Sequence, residues 1–595
     1  MKSFLKIFFA ALLALFVAGF LSIICFTAMI TSISNAAMSE SENSGIVEEN
    51  SILKLTFKDP INDNPEVNPI NAIDFSTFEI IENVSLLRTL MSIEAAKIDP
   101  KIKGIYLDPS LFAQIGLASI DEIRDALLDF KSSGKFIIAY ADNFSQSAYY
   151  LSSVADEIYM NSVGIFELKG LASNITFFKG LLDKLDVEPQ IIRHGKYKSA
   201  IEPFTEKEIS KASRQQTEEL LNSVWDNILT NIAKERKLNK KALSQAISSL
   251  ELIDPKVAAK YRLIDGVKHR DEVMAMLMNR VNVEQEKELN FINLNKYSKT
   301  VSNTSSSNKI AIIYAEGSIV YGEKQDGVVT DDEIIKKFKR AKNDSSVKAI
   351  VFRINSGGGS ALASELMWRE IELIRKEKPV IVSFGNVAAS GGYYIAAASD
   401  AILCSPTTIT GSIGVFSIFF NIGNTLKNKL GITTSTVQTN KGASILSPFR
   451  SMTKSEEAIM QKQTDNFYDT FVNRVAAGRN LSYEDVDKVA QGRVWSGSQA
   501  LEVGLVDGIG GLRHAILLAA EKANIANDFQ YKTITTEKKG LQLFFDSMNS
   551  ARAMFRSDDI LLNEMAKVKS MIDVEPLQAK MPYSIEFEPS YNSLF

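Results

Sequence analysis

Runs of apolar residues alternate along this chain with stretches of helical periodicity. Ile310 to Tyr314 and Ala349 to Ile354 read as buried-type strands. Between Ala361 and Lys378, the apolar residues Ala363, Met367, Ile371 and Ile374 fall on one face with charges elsewhere, which predicts an amphipathic helix. Pro379 marks the return to a strand, Val380-Ile381-Val382-Ser383-Phe384, and a helix-like run from Tyr393 to Ala398 follows. This order predicts a parallel α/β sheet wound with crossover helices. A further helix from Thr453 to Gly478 has apolar and charged faces suited to packing against another copy or subunit.

The pattern occurs twice. Gln146-Ser147-Ala148-Tyr149-Tyr150-Leu151 resembles Ser390-Gly391-Gly392-Tyr393-Tyr394-Ile395, Glu202-Pro203-Phe204 resembles Ser447-Pro448-Phe449, and Leu263-Ile264-Asp265-Gly266 resembles Leu505-Val506-Asp507-Gly508, all at nearly one offset. The expected organisation is an N-terminal repeat over 51–292, a linker over 293–308 and a C-terminal repeat over 309–526. An extension of unassigned role follows over 527–595. Before the first repeat, Lys2 and Lys6 precede an uncharged run from Ile7 to Ile30, long enough to cross a bilayer as one helix. We expect a cytoplasmic tip and retained anchor over 1–38, with the body on the opposite side of the membrane, and an acidic, serine-rich linker over 39–50.

Composition narrows the function. Of 595 residues, 45% are hydrophobic and 23% charged, as in a folded protein, and a net charge of −4 gives no basic surface for nucleic acid. Cys25 and Cys404 are the only cysteines and lie in an apolar run and a probable core strand, which argues against a disulfide framework or a cysteine metal site. The three histidines, His194, His269 and His514, form no metal or triad pattern. No cofactor is expected.

Two junctions carry candidate chemistry. Asn355-Ser356-Gly357-Gly358-Gly359-Ser360 sits where a strand ends and a helix begins, at the carboxyl end of the sheet, and suits an oxyanion or phosphate; the Lys-Ser/Thr ending of a phosphate loop is missing. Ser390, at the next such junction and followed by Gly391-Gly392, reads either as a helix N-cap or as a nucleophile lifted clear of the sheet. A nucleophile needs a base, and without a histidine pattern a neutral lysine is the alternative. Gly195-Lys196-Tyr197-Lys198-Ser199-Ala200 in the first repeat offers Lys198.

These stretches resemble the signal peptide peptidase A family, also called protease IV, in its long tandem form. The resemblance rests on Tyr197 to Ala200 with Glu202-Pro203-Phe204, on Asn355 to Ser360, on Ala389 to Tyr393, on Thr410-Gly411-Ser412-Ile413-Gly414-Val415, and on Gly492-Arg493-Val494-Trp495-Ser496-Gly497. It implies two tandem crotonase/Clp-protease-like α/β repeats after the transmembrane helix. It also implies Ser390 as nucleophile, Lys198 as general base, Ser412 orienting the lysine, and the N–H groups of Gly358 and Gly391 as oxyanion hole. The family's role implies peptide substrates, released signal peptides among them, at the outer face of a bacterial inner membrane, and a homo-oligomer, by resemblance a homotetramer. One departure is Gly357, where the family commonly has proline.

The repeats lose complementary parts. Opposite Ser390 the first copy has Gln146, opposite the glycines it has Asp108-Pro109-Ser110, and opposite Lys198 the second copy has Ala443. This predicts one site assembled between the halves. Lys196, aligned with Lys441, reads as a surface lysine, although it or Arg193 could lower the pKa of Lys198 if close. The rival readings are a non-catalytic membrane scaffold and a crotonase-like acyl-CoA enzyme.

Overall fold

The buried-type runs become the central strands of two similar sheets. A computed structural model of the chain describes residues 47–64, 84–301, 305–535 apart from 324, 326 and 527, and 578–581, with the short strands Ile73–Asp74 and Glu79–Ile80 and five isolated positions before residue 18. Apart from those five positions the expected anchor lies outside the described residues, among which no helix is long and apolar enough to cross a membrane.

In the first half the sheet order is Gly266–Val267, Glu157–Met160, Phe136–Ala141, Ile102–Leu107, Ser51–Leu55 and Phe291–Asn293, all parallel. The second half repeats it with Gly508–Ile509, Ala401–Cys404, Val380–Ala389, Val347–Ser356, Lys309–Glu316 and Gln530–Thr533, also parallel. Cys404 is in the expected core strand and fully buried. Two boundaries differ from expectation. Gln530–Thr533, placed beyond the second repeat by the sequence reading, is the counterpart of Phe291–Asn293 and closes that repeat's sheet. Leu294–Thr300, inside the expected linker, is a helix whose buried Tyr297 donates to Asp99 at 3.1 Å, so it belongs to the first half's core.

The strand before Ser390 also runs five residues past the expected Phe384. Its last part, Val387 to Ala389, finds a second neighbour in Ile409–Gly411. Polar Asn386 is tolerated there because the first half uses it. The helix Leu117–Lys131 points its first turn at this strand, with Ser119 N donating to Asn386 Oδ1 at 3.2 Å and Asn386 Nδ2 donating to Ser119 Oγ at 3.1 Å. Further along the same helix Asp121 accepts from Thr407 at 2.6 Å and Glu122 accepts from Leu512 N at 2.7 Å. Burial pushes the Asp121 carboxyl up to about 6.

Below this contact lies Arg353, wholly buried, its guanidinium 2.8 Å from Glu122 and 2.9 Å from Asp63 of the first half and donating to Ser383 Oγ and the Phe384 carbonyl. Burial opposes its charge, but the two carboxylates outweigh that and hold the guanidinium ionised.

A third sheet joins the halves by backbone. Its order is Val328–Thr330, Ser318–Val320, Gly358–Ser360, Gln578–Lys580, Val415–Asn421 and Glu188–His194. Glu188–His194 of the first half runs antiparallel to Val415–Asn421 of the second along its whole length, from Val415 opposite His194 to Asn421 opposite Glu188. The first half's loop after His194 is thereby carried onto the second half's sheet end.

Candidate active site

Serine before a helix is ordinarily a cap, its hydroxyl accepting from the second or third amide of the first turn. Ser390 precedes helix Gly391–Ala396 but makes no such bond. Its backbone, at φ 56° and ψ −117°, lies where side chains are seldom tolerated, held by Ser390 N donating to the Gly411 carbonyl and Tyr394 N donating to the Ser390 carbonyl, both at 2.8 Å. Its Oγ instead lies 2.8 Å from Lys198 Nζ.

Lys198 follows the strand that crosses between the halves and precedes the turn Ser199–Ile201. Tyr197 N donates to the Gln491 carbonyl at 2.8 Å, and Gln216 ties the loop down, donating to the Tyr197 carbonyl and Ser199 Oγ at 3.1 Å while its Oε1 accepts from Val494 N at 3.2 Å. The amine lies 3.0 Å from both Oγ and the carbonyl oxygen of Ser412, whose own N donates to the Arg493 carbonyl. Lys198, Ser390 and Ser412 are all fully buried. Burial alone holds the Lys198 amine well below the ordinary lysine range, so the cationic help considered for Lys196 and Arg193 is not its cause. Lys196 is exposed, its amine over the Tyr197 ring.

The glycines take up the approach. Gly358, at φ 93°, packs its α-carbon face against the start of the Ser390 helix; a Cβ there would lie 2.6 Å from Gly391 N. Gly358 N donates to Ser356 Oγ at 3.2 Å. Five residues singled out from sequence, Lys198, Gly358, Ser390, Gly391 and Ser412, are thus brought to one place. Gly492 and Gln216 were not assigned by the sequence reading. Gly492 stood inside a quoted motif, but Gln216 has no local signature.

The corresponding place in the first half is filled. Gln146 spends its amide on the backbone of Lys169 and Gly170 at 2.9–3.2 Å, and Asp108 is an ion-pair partner of Lys54 and Arg270. No group of side chains suited to a metal ion is present among the described residues.

A family model described as Peptidase family S49 matches residues 129–284 and 372–526, once in each half. The chain belongs to peptidase family S49. Protease 4 of Haemophilus influenzae is 37% identical over 466 residues, covering 76% of this chain and 75% of that one. The chloroplastic serine protease SPPA of Arabidopsis thaliana is 35% identical over 494 residues, covering 80% of this chain and 70% of its own. A ClpP1 mutant from Listeria monocytogenes, 18% identical with a TM-score of 0.24, covers 34% of this chain and 94% of its own. This S49 member is a serine protease built of two tandem α/β repeats.

Proposed function

We propose that the reaction is peptide hydrolysis by a dyad split between the halves, with Ser390 as nucleophile and Lys198 as general base. The observation that carries this reading is the 2.8 Å contact between Ser390 Oγ and a fully buried lysine amine. An ordinary lysine, titrating near ~10.4, would be a cation at neutral pH and could accept no proton; desolvation favours the neutral amine, which can. Ser390 Oγ adds to the peptide carbonyl, Lys198 takes its proton and returns it to the leaving amine, and water then hydrolyses the acyl-enzyme by the same route. Ser412 orients the amine through Oγ and carbonyl. The N–H groups of Gly391 and Gly358 receive the oxyanion, the latter exchanging its bond to Ser356 Oγ for the substrate.

The proposed substrates are released signal peptides and other apolar peptides, met at the outer face of a bacterial inner membrane to which residues 7–30 anchor the chain. The uncharged length of that run and its two preceding lysines support this placement. The working form is a homo-oligomer, a homotetramer by resemblance. Repeat symmetry supports association: the strands Val415–Asn421 and Glu188–His194 pair within the chain, whereas their repeat counterparts, 171–177 and 433–439, belong to no described sheet. Every position of 433–439 is exposed, Val437 at 99%, and 171–177 alternates half-buried with exposed. Pairing 433–439 of one copy with 171–177 of the next repeats the internal contact head to tail, a kind of contact that gives a ring when the rotation between copies closes.

A fluorophosphonate probe tests the dyad in detergent-solubilised protein. Labelling of the wild type, lost in Ser390→Ala and Lys198→Ala variants that remain folded, is the expected result. Strong labelling of Lys198→Ala removes the lysine from the mechanism, and an unlabelled wild type leaves the scaffold reading.

A further inference from the structure

Between the loop that carries Lys198 and the loop that carries Ser412 lies one turn of the second half, residues 490–493, and it holds both. The Gln491 carbonyl accepts from Tyr197 N at 2.8 Å, the Arg493 carbonyl accepts from Ser412 N at 2.6 Å, and Gly492 N donates to the Ile413 carbonyl at 2.7 Å. The first half's loop comes so close that a Cβ on Gly195 would lie 2.6 Å from the carbonyl carbon and oxygen of Gln491. Gln491 itself has φ 53°, a left-handed conformation that costs a residue with a side chain and persists only where its surroundings hold it.

Tyr468 does the holding. It stands in the helix Lys454–Arg479 and is fully buried. Its hydroxyl accepts from Gln491 N at 3.2 Å and from Gln491 Nε2 at 3.0 Å, and donates to the Asp487 carboxylate, which also accepts from Gln491 Nε2 at 2.6 Å. Both the donor and the acceptor capacity of the phenol are thus used. Burial first, and then hydrogen bonding to Asp487, pushes its ionisation up, so the hydroxyl keeps its proton well into alkali. The ring is placed as firmly. His194, four residues before Lys198, stacks on it with centroids 3.8 Å apart, and His194 Nδ1 lies 2.8 Å from Asp465 of the same helix. Tyr468 therefore meets the lysine-bearing segment on both sides of Gly195, by its ring at the strand end and by its hydroxyl at the turn under the loop.

We propose that Tyr468, acting through Gln491, is a positioning residue for the general base, fixing the turn that seats Lys198 beside Ser390 and so keeps water from the amine. Among the described residues the hydrogen-bond partners of the amine are Ser390 and Ser412, so Tyr468 acts through the turn and not on the amine. Without the hydroxyl, Gln491 N loses its acceptor and the left-handed residue is free to relax. The Lys198 loop follows through Tyr197 and Gly492, and water reaching the amine favours the ammonium. The base then needs a higher pH to become neutral. A tyrosine that only packed two helices together would change stability without moving that titration.

The proposal rests on the dyad argued above, and the test separates the two. The rate of fluorophosphonate labelling of the detergent-solubilised full-length protein, followed against pH, reads the neutral fraction of the base. Tyr468→Phe keeps the ring and removes the hydroxyl. Its acid limb is expected to move up by about one pH unit, which lowers the rate below that limb about 10-fold. Tyr483→Phe removes a 2.6 Å hydrogen bond to Asp469 between the same two helices, away from Gln491, and is expected to keep the wild-type limb. Gln491→Gly, which suits the left-handed φ and removes the amide, is expected to move the limb in the same direction as Tyr468→Phe, and it decides the matter should Tyr468→Phe not fold. An unmoved limb in the folded variant of the two, or an equal shift in Tyr483→Phe, overturns the positioning role and leaves the dyad standing. A wild type that takes no label, or a rate that survives Lys198→Ala, removes both.

Discussion

Gly492 of the second half leaves open the space that the Lys198 backbone of the first half fills. A Cβ on Gly492 would lie 2.6 Å from Lys198 N and 2.7 Å from both Lys198 Cα and Cβ, and its φ of 78° favours glycine independently. Gly492→Ala must therefore push the lysine away from Ser390. Because a misplacement near 1 Å costs reactivity heavily, kcat/KM on a peptide substrate is expected to fall by about 100-fold or more. The thermal midpoint should drop only modestly, since φ strain at one residue is worth about 1–2 kcal/mol. Unchanged kcat/KM would mean that the loop yields without moving the amine.

The buried amine also sets a pH dependence with a definite sign. Activity is expected to rise with pH as remaining Lys198 ammonium loses its proton, and then to level. For stability, the unfolded chain binds more protons at this site than the folded one between the lowered folded pKa and the ordinary ~10.4. Stability thus rises with pH through that window; the cost of burying the amine is complete below the folded pKa and gone above ~10.4. Lys198→Met removes it. Thermal unfolding across pH should find the Met variant more stable than wild type at pH 7, with the two converging in alkali; a variant less stable throughout would contradict this account.

Ser412 holds the lysine by two oxygens, of which only one is in its side chain. Ser412→Ala keeps the carbonyl contact and loses one hydrogen bond worth about 1 kcal/mol, so a fall of roughly 5- to 20-fold in kcat is expected, with KM little changed. A loss as deep as that of Lys198→Ala would assign the hydroxyl a proton-transfer role in its own right.

How much of this was legible in the chain depended on whether a residue's neighbours are local. Ser390 and Gly358 stand at strand ends visible from apolar runs, and Lys198 stands in a motif whose meaning came from the family resemblance, with the loss of that lysine in the second repeat beside it. The pairing of Glu188–His194 with Val415–Asn421 had no such signal, because each strand is completed only by a partner more than 200 residues away. Gln578–Lys580 is three residues without alternation, a strand only because a slot is waiting for it. Asn386, which the sequence reading did not single out, is the point where the other half attaches.

Arg353 joins the halves through a buried contact that is costly to break. Removing it as Arg353→Ala would strand Asp63 and Glu122 as buried carboxylates, and breaking a buried pair in this way typically costs about 3–5 kcal/mol. Chemical denaturation should register a loss of that size, partly recovered when Glu122→Gln is added to the same chain. A loss below about 1 kcal/mol would mean that water reaches the cluster.

The distance in sequence between the two groups of the proposed dyad has a consequence in time. Lys198 leaves the ribosome 192 residues before Ser390, and Gly492 follows about a hundred residues later still. A nascent chain carries an amine with nothing to activate, then a hydroxyl whose partner is not yet seated. On the proposed dyad the enzyme is born as its own zymogen: hydrolytic power arrives only when the last third of the chain has folded back onto the first.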